Sequence, residues 1–192
     1  MARNAALTAD FSGLAREAGR LSKLDAAALA RVEQRTLSTL ARRLPVEAAR
    51  LASEQILALP RAKIRSGLSA TQGGPSGARS VSLIGTRTRI KIKEFGAKYG
   101  GRKTQGATAT LYRDRGVQLF EGTFAIKGRG AKGGIFQRIP DASRLPIVER
   151  AGPSVYRSIA DGKHGDIKPD LRAMSVEVLR TEAQRLLRVE LR

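Results

Sequence analysis

The chain has 192 residues, which is enough for one substantial core or for one domain with a helical extension. Hydrophobic residues make up 41% and charged residues 28%, as in a typical globular chain, but aromatic residues are only 4% and tryptophan is absent, so the core must be mainly aliphatic. The chain contains no cysteine and one histidine. This excludes disulfide frameworks, zinc ribbons, thiol nucleophiles and Cys/His metal clusters.

No apolar run approaches the roughly 18 to 20 residues needed to cross a bilayer. The first residues, MARNAALTADF, lack the charged and then apolar order of a secretory leader. We therefore expect a protein made in the cytoplasm that has no membrane partner.

The net charge is +19, and it is unevenly distributed. Residues 61–138 contain 17 Lys and Arg side chains against 3 Asp and Glu, whereas the residues before and after this segment are nearly balanced. A concentration of one sign of charge favours a polyanionic partner, which is a nucleic acid, an acidic protein surface or an anionic membrane. Charge alone does not choose among the three.

Residues 1–60 are rich in Ala, Leu, Arg and Glu, and their apolar residues recur at helical spacing. The first apolar series comprises Leu7, Phe11, Leu14, Ala18 and Leu21; the second follows the predicted N-cap Asp25 and comprises Leu29, Val32, Leu37, Leu40 and Leu44. Pro45 either kinks this helix or begins another one that ends near Pro60. We expect an amphipathic helical pair that packs on the rest of the fold; the alternative is an arm that packs on neighbouring subunits.

Residues 61–151 change to a period of two with Gly and Ser interruptions, which predicts an antiparallel β region. Residues 69–77 are predicted to be a loop, residues 86–93 (TRTRIKIK) a strand with one basic face, and residues 95–106 a long mobile loop or hairpin tip. Further strands are predicted at residues 107–113, 117–120, 123–127 and 134–139. The glycine-rich residues 128–133 are predicted to join the last two strands as a hairpin.

Residues 152–192 are predicted to be helical. Gly152-Pro153 suits a helix start with Pro at the first helical position, and this helix can run from Val155 to about Ala160. Lys168-Pro169-Asp170 begins a C-terminal helix whose apolar stripe contains Leu171, Met174, Val178, Leu179, Leu186 and Val189. The three regions therefore predict an α+β fold: N-terminal helices, a central antiparallel sheet with Gly-rich basic loops, and C-terminal helices. We expect them to form one folding unit.

Tests for catalytic and cofactor motifs give no candidate. The spacing G-x-G-x-x-G occurs from Gly128 to Gly133, but a strand-like GIFQRIP follows it where a dinucleotide site requires a helix. His164 stands in a polar turn, where a solvated loop histidine is expected. The carboxylates show no D-x-D, E-x-x-H or EF-hand spacing. The sequence therefore predicts a protein that is not an enzyme, with no catalytic residues, no metal site and no cofactor.

The basic residues of the middle segment form the one remaining candidate site. The residues predicted to face a polyanion or a partner are Arg87, Arg89, Lys91, Lys93, Lys98, Arg102, Lys103, Lys127, Arg129 and Lys132. Cations on extended or loop backbone suffice for sequence-independent phosphate contact with strong salt dependence. The scarcity of aromatic residues argues against recognition by base stacking. The alternative is a solvated basic face, or one that matches an acidic protein.

An ordered series of short motifs lies within residues 117–160. It comprises Phe124-Ala125-Ile126, a Gly-rich turn, GIFQR at residues 134–138, Leu145-Pro146-Ile147, and GPSV at residues 152–155. This order resembles the phage minor tail protein Z family, the tail-completion proteins of long-tailed phages and prophages. The surrounding order is also similar: an Ala-rich helical N-terminus ending near PRAKIR, a basic middle and a helical C-terminus.

The resemblance implies a virion structural protein at the head-proximal end of the tail, made in the cytoplasm of a bacterial host. It implies other tail proteins and connector proteins as partners, and a homo-oligomeric ring between tail tube and head connector, with a hexamer as one candidate. Non-specific contact with the DNA that passes through is one use for the basic residues. The alternative function is a sequence-independent nucleic-acid-binding protein, associated with ribosomes or the nucleoid. A basic nuclease, the third reading, has no supporting carboxylate motif.

Overall fold

The structure is a computed structural model that describes residues 26–73, 80–100, 106–126, 134–138 and 146–190. Helices at both ends of the described chain flank short antiparallel strands, so the predicted α+β fold class is confirmed. The chain divides into two compact units. Unit 1 takes in the described parts of Met1–Arg50, Arg65–Gly85 and Ile167–Arg192, and unit 2 takes in those of Leu51–Ile64 and Thr86–Asp166.

The described residues form helices α1 (Ala26–Leu51), α2 (Arg61–Ser66), α3 (Val155–Ala160) and α4 (Lys168–Glu190), with a π-helical turn at Ala52–Ile56 and a 3₁₀ turn at Ile92–Phe95. The strands are β1 (Leu68–Gly73), β2 (Ser80–Gly85), β3 (Arg89–Lys91), β4 (Lys98–Tyr99), β5 (Gly106–Ala109), β6 (Gln118–Glu121), β7 (Thr123–Ile126), β8 (Gly134–Arg138), β9 (Ile147–Glu149) and β10 (Ala151–Ser154). The strand orders are β1-β2, β10-β3, β4-β5-β6 and β7-β8-β9, and every pairing is antiparallel.

In unit 1, helix α1 buries residues at a spacing of four. The buried series comprises Ala28, Val32, Thr36, Leu40, Leu44 and Ala48. Because 3.6 residues complete a turn, a strict spacing of four drifts around the helix, and the buried Leu37 and Ala49 widen the stripe. Leu29, predicted to belong to the stripe, is exposed.

Helix α4 runs antiparallel to α1 within unit 1. Arg31 forms an ion pair with Glu190 at 3.2 Å, and eight residues later Thr39 donates a hydrogen bond to Glu182 at 3.4 Å. Equal steps in opposite directions define the antiparallel arrangement. The C-terminal helix begins at Lys168 as predicted. Most of its predicted stripe is buried, whereas Met174 is half-buried and Val189 is exposed.

Helix α1 continues through Pro45, which is fully buried, so the proline does not begin a second helix. The change in helix geometry occurs later, at the π-helical turn, where the Leu57 amide donates to the carbonyl of Ala52 at 2.8 Å. This five-residue spacing is the hydrogen-bond pattern of a π-helix. The turn ends the long helix with Ala52 and Ile56 both buried.

In unit 2, the strands predicted at residues 117–120, 123–127 and 134–139 are present with small shifts in their described ends, whereas the strand predicted at residues 107–113 ends at Ala109. Strand β7 pairs with β8 in the register Phe124 opposite Phe136 and Ala125 opposite Ile135, which confirms the predicted hairpin. The predicted hairpin loop at residues 128–133 lies outside the described residues. Strand β9 pairs with the other side of β8 and forms an edge of this three-stranded sheet.

The predicted strand over residues 86–93 is wrong at both ends, since only Arg89–Lys91 is a strand. Arg87 precedes the strand and Lys93 lies in the following 3₁₀ turn. Ile92 and Phe95 are both buried, and a 3₁₀ turn places residues three apart on one side, which a strand does not. The structure therefore does not place Arg87, Arg89, Lys91 and Lys93 together on one strand face.

Other corrections are local. Residues 69–73 of the predicted loop belong to β1, which pairs with β2 from Leu68 opposite Gly85 to Gly73 opposite Ser80; the rest of that loop lies outside the described residues. Helix α2 falls within the predicted β region. Pro153 lies in β10 instead of at the first helical position, and Ser154 caps α3 by accepting a hydrogen bond from the Arg157 amide. None of the described helices is long and apolar enough to span a membrane.

Candidate functional site

A cleft of 690 Å³ in unit 2 gathers side chains from three chain segments. Arg87 and Arg89 come from the first segment, Leu111 and Tyr112 from the second, and residues between Ala151 and His164 from the third. We name it the cationic cleft after its four charged lining cations, which are Arg87, Arg89, Arg157 and Lys163. The lining also contains the carboxylate of Asp161 and the aromatic rings of Tyr112, Tyr156 and His164.

Backbone hydrogen bonds bring the first and third segments together. The Tyr156 amide donates to the carbonyl of Thr86 at 3.1 Å, and Arg89 is the register partner of Ser154 in the pairing of β3 with β10. The guanidinium carbon of Arg87 lies 4.9 Å from the centre of the Tyr156 ring. This is a cation–π contact, which holds the Arg87 side chain against the Tyr156 ring.

The second segment is held by the chain that follows the π-helical turn. The Ala58 amide donates to the carbonyl of Leu111 at 3.1 Å, and the Arg113 amide donates to the carbonyl of Ile56 at 2.9 Å. These two bonds flank an antiparallel bridge between Leu57 and Tyr112. Tyr112 therefore has a fixed backbone position on one side of the cleft.

His164 is anchored on Tyr112 and Asp114 instead of being a solvated loop residue, which corrects the prediction from sequence. Its side chain is 13% exposed, its Nδ1 lies 2.9 Å from Asp114 Oδ2, and its ring stacks on Tyr112 with centroids 3.6 Å apart. The hydrogen bond from His164 holds the pKa of Asp114 below its ordinary value, and burial opposes this shift. The ionised carboxylate of Asp114 in turn favours the imidazole with its proton on Nδ1.

The cationic cleft holds more positive than negative charge. Its one lining carboxylate, Asp161, pairs with Arg157 at 3.1 Å. Within the described ranges, Arg87, Arg89 and Lys163 have no carboxylate within ion-pair distance. Three cations around one concave surface therefore lack an internal counter-charge, which is an arrangement that favours binding of an anion.

Of the five predicted site residues that the structure describes, Arg87 and Arg89 line the cleft. Lys91 lies on β3 and pairs with Glu149 at 2.6 Å. Lys93 lies in the 3₁₀ turn, and Lys98 is on β4 instead of in a loop, because it pairs with Thr108 of β5. The five remaining candidates, Arg102, Lys103, Lys127, Arg129 and Lys132, lie outside the described residues.

Sequence reasoning missed Tyr112, Tyr156, Arg157 and Lys163 as site residues and misjudged His164. The contacts of Tyr112 and Asp114 with His164 join residues about 50 positions apart, and no local pattern announces them. One local signal was present in the turn DGKHGD, where Gly162 and Gly165 adopt φ of 63° and 128°. Such a turn fixes the direction of the residues between the glycines.

Among the residues that the structure describes, no three His, Asp or Glu side chains lie close enough together to hold a metal ion. The cationic cleft thus offers hydrogen-bond donors and positive charge.

No protein-family model, curated protein or solved structure matches this chain.

Proposed function

We propose that the chain is a structural protein of a phage virion, a tail-completion or neck component at the head-proximal end of the tail. It acts without catalysis, as a homo-oligomeric ring between tail tube and head connector, with other tail and connector proteins as partners. Its basic surface faces a polyanion, which is the DNA in the passage or an acidic rim of a neighbouring protein.

The observation that carries the proposal is the order of motifs within residues 117–160, supported by the way the described ones fold. FAI lies on β7, GIFQR is β8, Ile147 begins β9, and the GPSV motif runs from β10 into α3. Strands β7, β8 and β9 pair in this order, and the Arg150 amide, between β9 and β10, donates to the Ile135 carbonyl at 2.8 Å. The described motifs on these three strands are therefore neighbours in space, as expected of one shared substructure.

Exposed apolar side chains on this substructure support self-association. Val148 on the edge strand β9 is 51% exposed, and Ile126 on β7 is also exposed. In the described part of the chain, β9 pairs with β8 alone, which leaves its other side open for a strand or loop of another subunit. An open edge with apolar side chains suits a ring built from repeated contacts.

The experiment is light scattering coupled to size exclusion, at low and high salt, with and without short duplex DNA. A closed oligomer whose mass is the same with and without DNA supports the tail-completion role. A small species that joins DNA at low salt and leaves it at high salt supports the alternative, a sequence-independent nucleic-acid-binding protein.

A matched pair of variants tests the edge contact. We expect Val148→Glu to dissociate the oligomer, because it buries a charge in the proposed subunit interface. Val176→Glu, at a similarly exposed valine on α4, should leave the mass unchanged. If both variants have the same oligomer mass, the β9 edge is not the subunit contact.

A second test reverses the charges of Arg87, Arg89, Lys91 and Lys93 together. If assembly and infectivity stay intact, these residues do not face a polyanion.

A further inference from the structure

We propose that the cationic cleft is a binding site for a phosphate group. The inference is independent of the tail role, because it rests on the geometry of unit 2 alone. The phosphate belongs either to a nucleic-acid backbone or to a small phosphorylated molecule. Both sources present the same tetrahedral oxyanion, and the experiment below separates them.

The positive charge of the cleft can compensate more than one negative charge on a ligand. Arg87, Arg89 and Lys163 line it without a carboxylate partner among the described residues, and Asp161 is already engaged by Arg157. One carboxylate would leave most of this charge uncompensated. A terminal phosphate carries almost two negative charges near neutral pH and presents three acceptor oxygens. A phosphodiester chain brings several charges in succession.

The arginines are arranged to donate hydrogen bonds. The Arg87 guanidinium makes a cation–π contact with Tyr156, and no carboxylate of the described residues lies within ion-pair distance of its N–H groups. Arg89 is fixed at its backbone by pairing with Ser154. Two guanidinium groups that begin two residues apart can donate to different oxygens of one phosphate, which is a geometry that arginine serves better than lysine.

The cleft is also lined by the imidazole of His164. Its Nδ1 is hydrogen-bonded to Asp114, and its Nε2 forms no hydrogen bond with another described residue. The His164 ring is held in place by the Tyr112 stack. Nε2 is therefore the nitrogen through which the imidazole can contact a ligand, and it donates to an oxyanion when the ring is protonated.

The size of the cleft fits a small ligand or a short stretch of backbone. Its 690 Å³ falls within the range of about 300 to 1,000 Å³ typical of ligand sites. An inorganic phosphate fills a small part of this space. A mononucleotide or a short stretch of nucleic-acid backbone can place a phosphate on the arginines and occupy more of the remaining space.

The test titrates the full chain with four probes by calorimetry: pyrophosphate, a mononucleotide, a short oligothymidylate and a polyglutamate peptide of equal charge to the oligonucleotide. The site variant is Arg87→Gln with Arg89→Gln. The matched control is Arg172→Gln with Arg180→Gln, which removes two exposed arginines of helix α4 that do not line the cleft. Both variants lower the net charge by the same amount.

We expect the site variant to weaken phosphate binding by at least about tenfold, because each charge-assisted hydrogen bond is worth about tenfold or more in affinity. The control should change affinity by less than about threefold, which is the effect expected of the general field at moderate salt. Binding of pyrophosphate or the mononucleotide supports a small phosphorylated ligand. Binding of oligothymidylate alone, with the same dependence on the site variant, supports a nucleic-acid backbone.

Because Arg87→Gln also removes a contact with Tyr156, Lys163→Glu serves as a second variant on an exposed turn residue, and circular dichroism checks the fold of all variants. Lys163→Glu should weaken phosphate binding to a similar degree. Three results would overturn the inference: no binding of any phosphate probe, equal losses in the site and control variants, or tighter binding of polyglutamate than of oligothymidylate. The last result would assign the surface to an acidic protein.

Discussion

The imidazole of His164 stacks on the phenol ring of Tyr112 with ring centroids 3.6 Å apart and planes inclined by 19°. The stack ties the turn after α3 to the segment that follows β5, and the hydrogen bond between His164 and Asp114 completes the connection. These two contacts hold the turn that carries His164 against the residues that follow β5, on one side of the cationic cleft.

We expect His164→Ala to lower the free energy of unfolding by about 1–3 kcal/mol, because it removes an aromatic stack and a hydrogen bond to a carboxylate. Lys163→Ala, its exposed neighbour in the same turn, should change it by less than about 0.5 kcal/mol. Urea unfolding followed by circular dichroism measures both. If the two variants are equally stable, the stack does not hold the turn.

The contact between His164 and Asp114 also predicts a pH dependence. The folded state lowers the pKa of Asp114, chiefly through the hydrogen bond from His164, so folding favours the ionised carboxylate. The stabilising contribution is therefore present above the unfolded pKa of about 4 and is lost as the pH falls through the lower, folded value.

The measurement compares the wild type with Asp114→Asn in urea at a series of pH values. The gap in stability between the two proteins should narrow as the pH falls below about 4. Glu121→Gln, at an exposed carboxylate at the end of β6, is the control and should show no such narrowing. A gap that widens on acidification would contradict the assigned direction.

Local patterns predicted much of the framework and little of the site. The KPD start of α4 and the alternation in β5 to β8 are signals carried by neighbouring residues, and the structure has these elements near their predicted positions. The prediction of a basic strand over residues 86–93 was wrong because an alternation of charged residues does not show which side chains are buried. Ile92 and Phe95 are three residues apart and both buried, and a 3₁₀ turn places both on the same side, whereas a strand would not. The cleft escaped prediction because the contacts of His164 depend on how distant segments meet.

Gly106 offers a test of strand packing in unit 2. A Cβ at this position would lie 2.2 Å from the carbonyl oxygen of Phe120, which is backbone of the paired strand β6 and cannot move aside easily. We expect Gly106→Ala to destabilise the protein by about 1–3 kcal/mol or more through overpacking. Gly73→Ala, in β1 with open space around the new methyl group, should be close to neutral. Thermal unfolding of both variants makes the comparison, and a neutral Gly106→Ala would refute the close approach of β5 and β6.

Glu182 tests the antiparallel packing of α1 and α4 in unit 1. The Glu182 carboxylate accepts hydrogen bonds from Arg185 at 3.0 and 2.7 Å and from Thr39 at 3.4 Å. The hydrogen bond from Arg185 is the main cause that lowers the pKa of Glu182. The carboxylate thus joins its own helix to α1.

We expect Glu182→Gln to cost about 1 kcal/mol in unfolding free energy, because the amide retains one acceptor oxygen and loses the charge that strengthens these bonds. Glu177→Gln, at an exposed position on the same helix, should cost less than about 0.5 kcal/mol. A double-mutant cycle with Thr39→Val isolates the bond between the helices, since a coupling energy appears only if the two side chains touch in solution. Strict additivity of Glu182→Gln and Thr39→Val would show that the α1 and α4 contact does not form at this register.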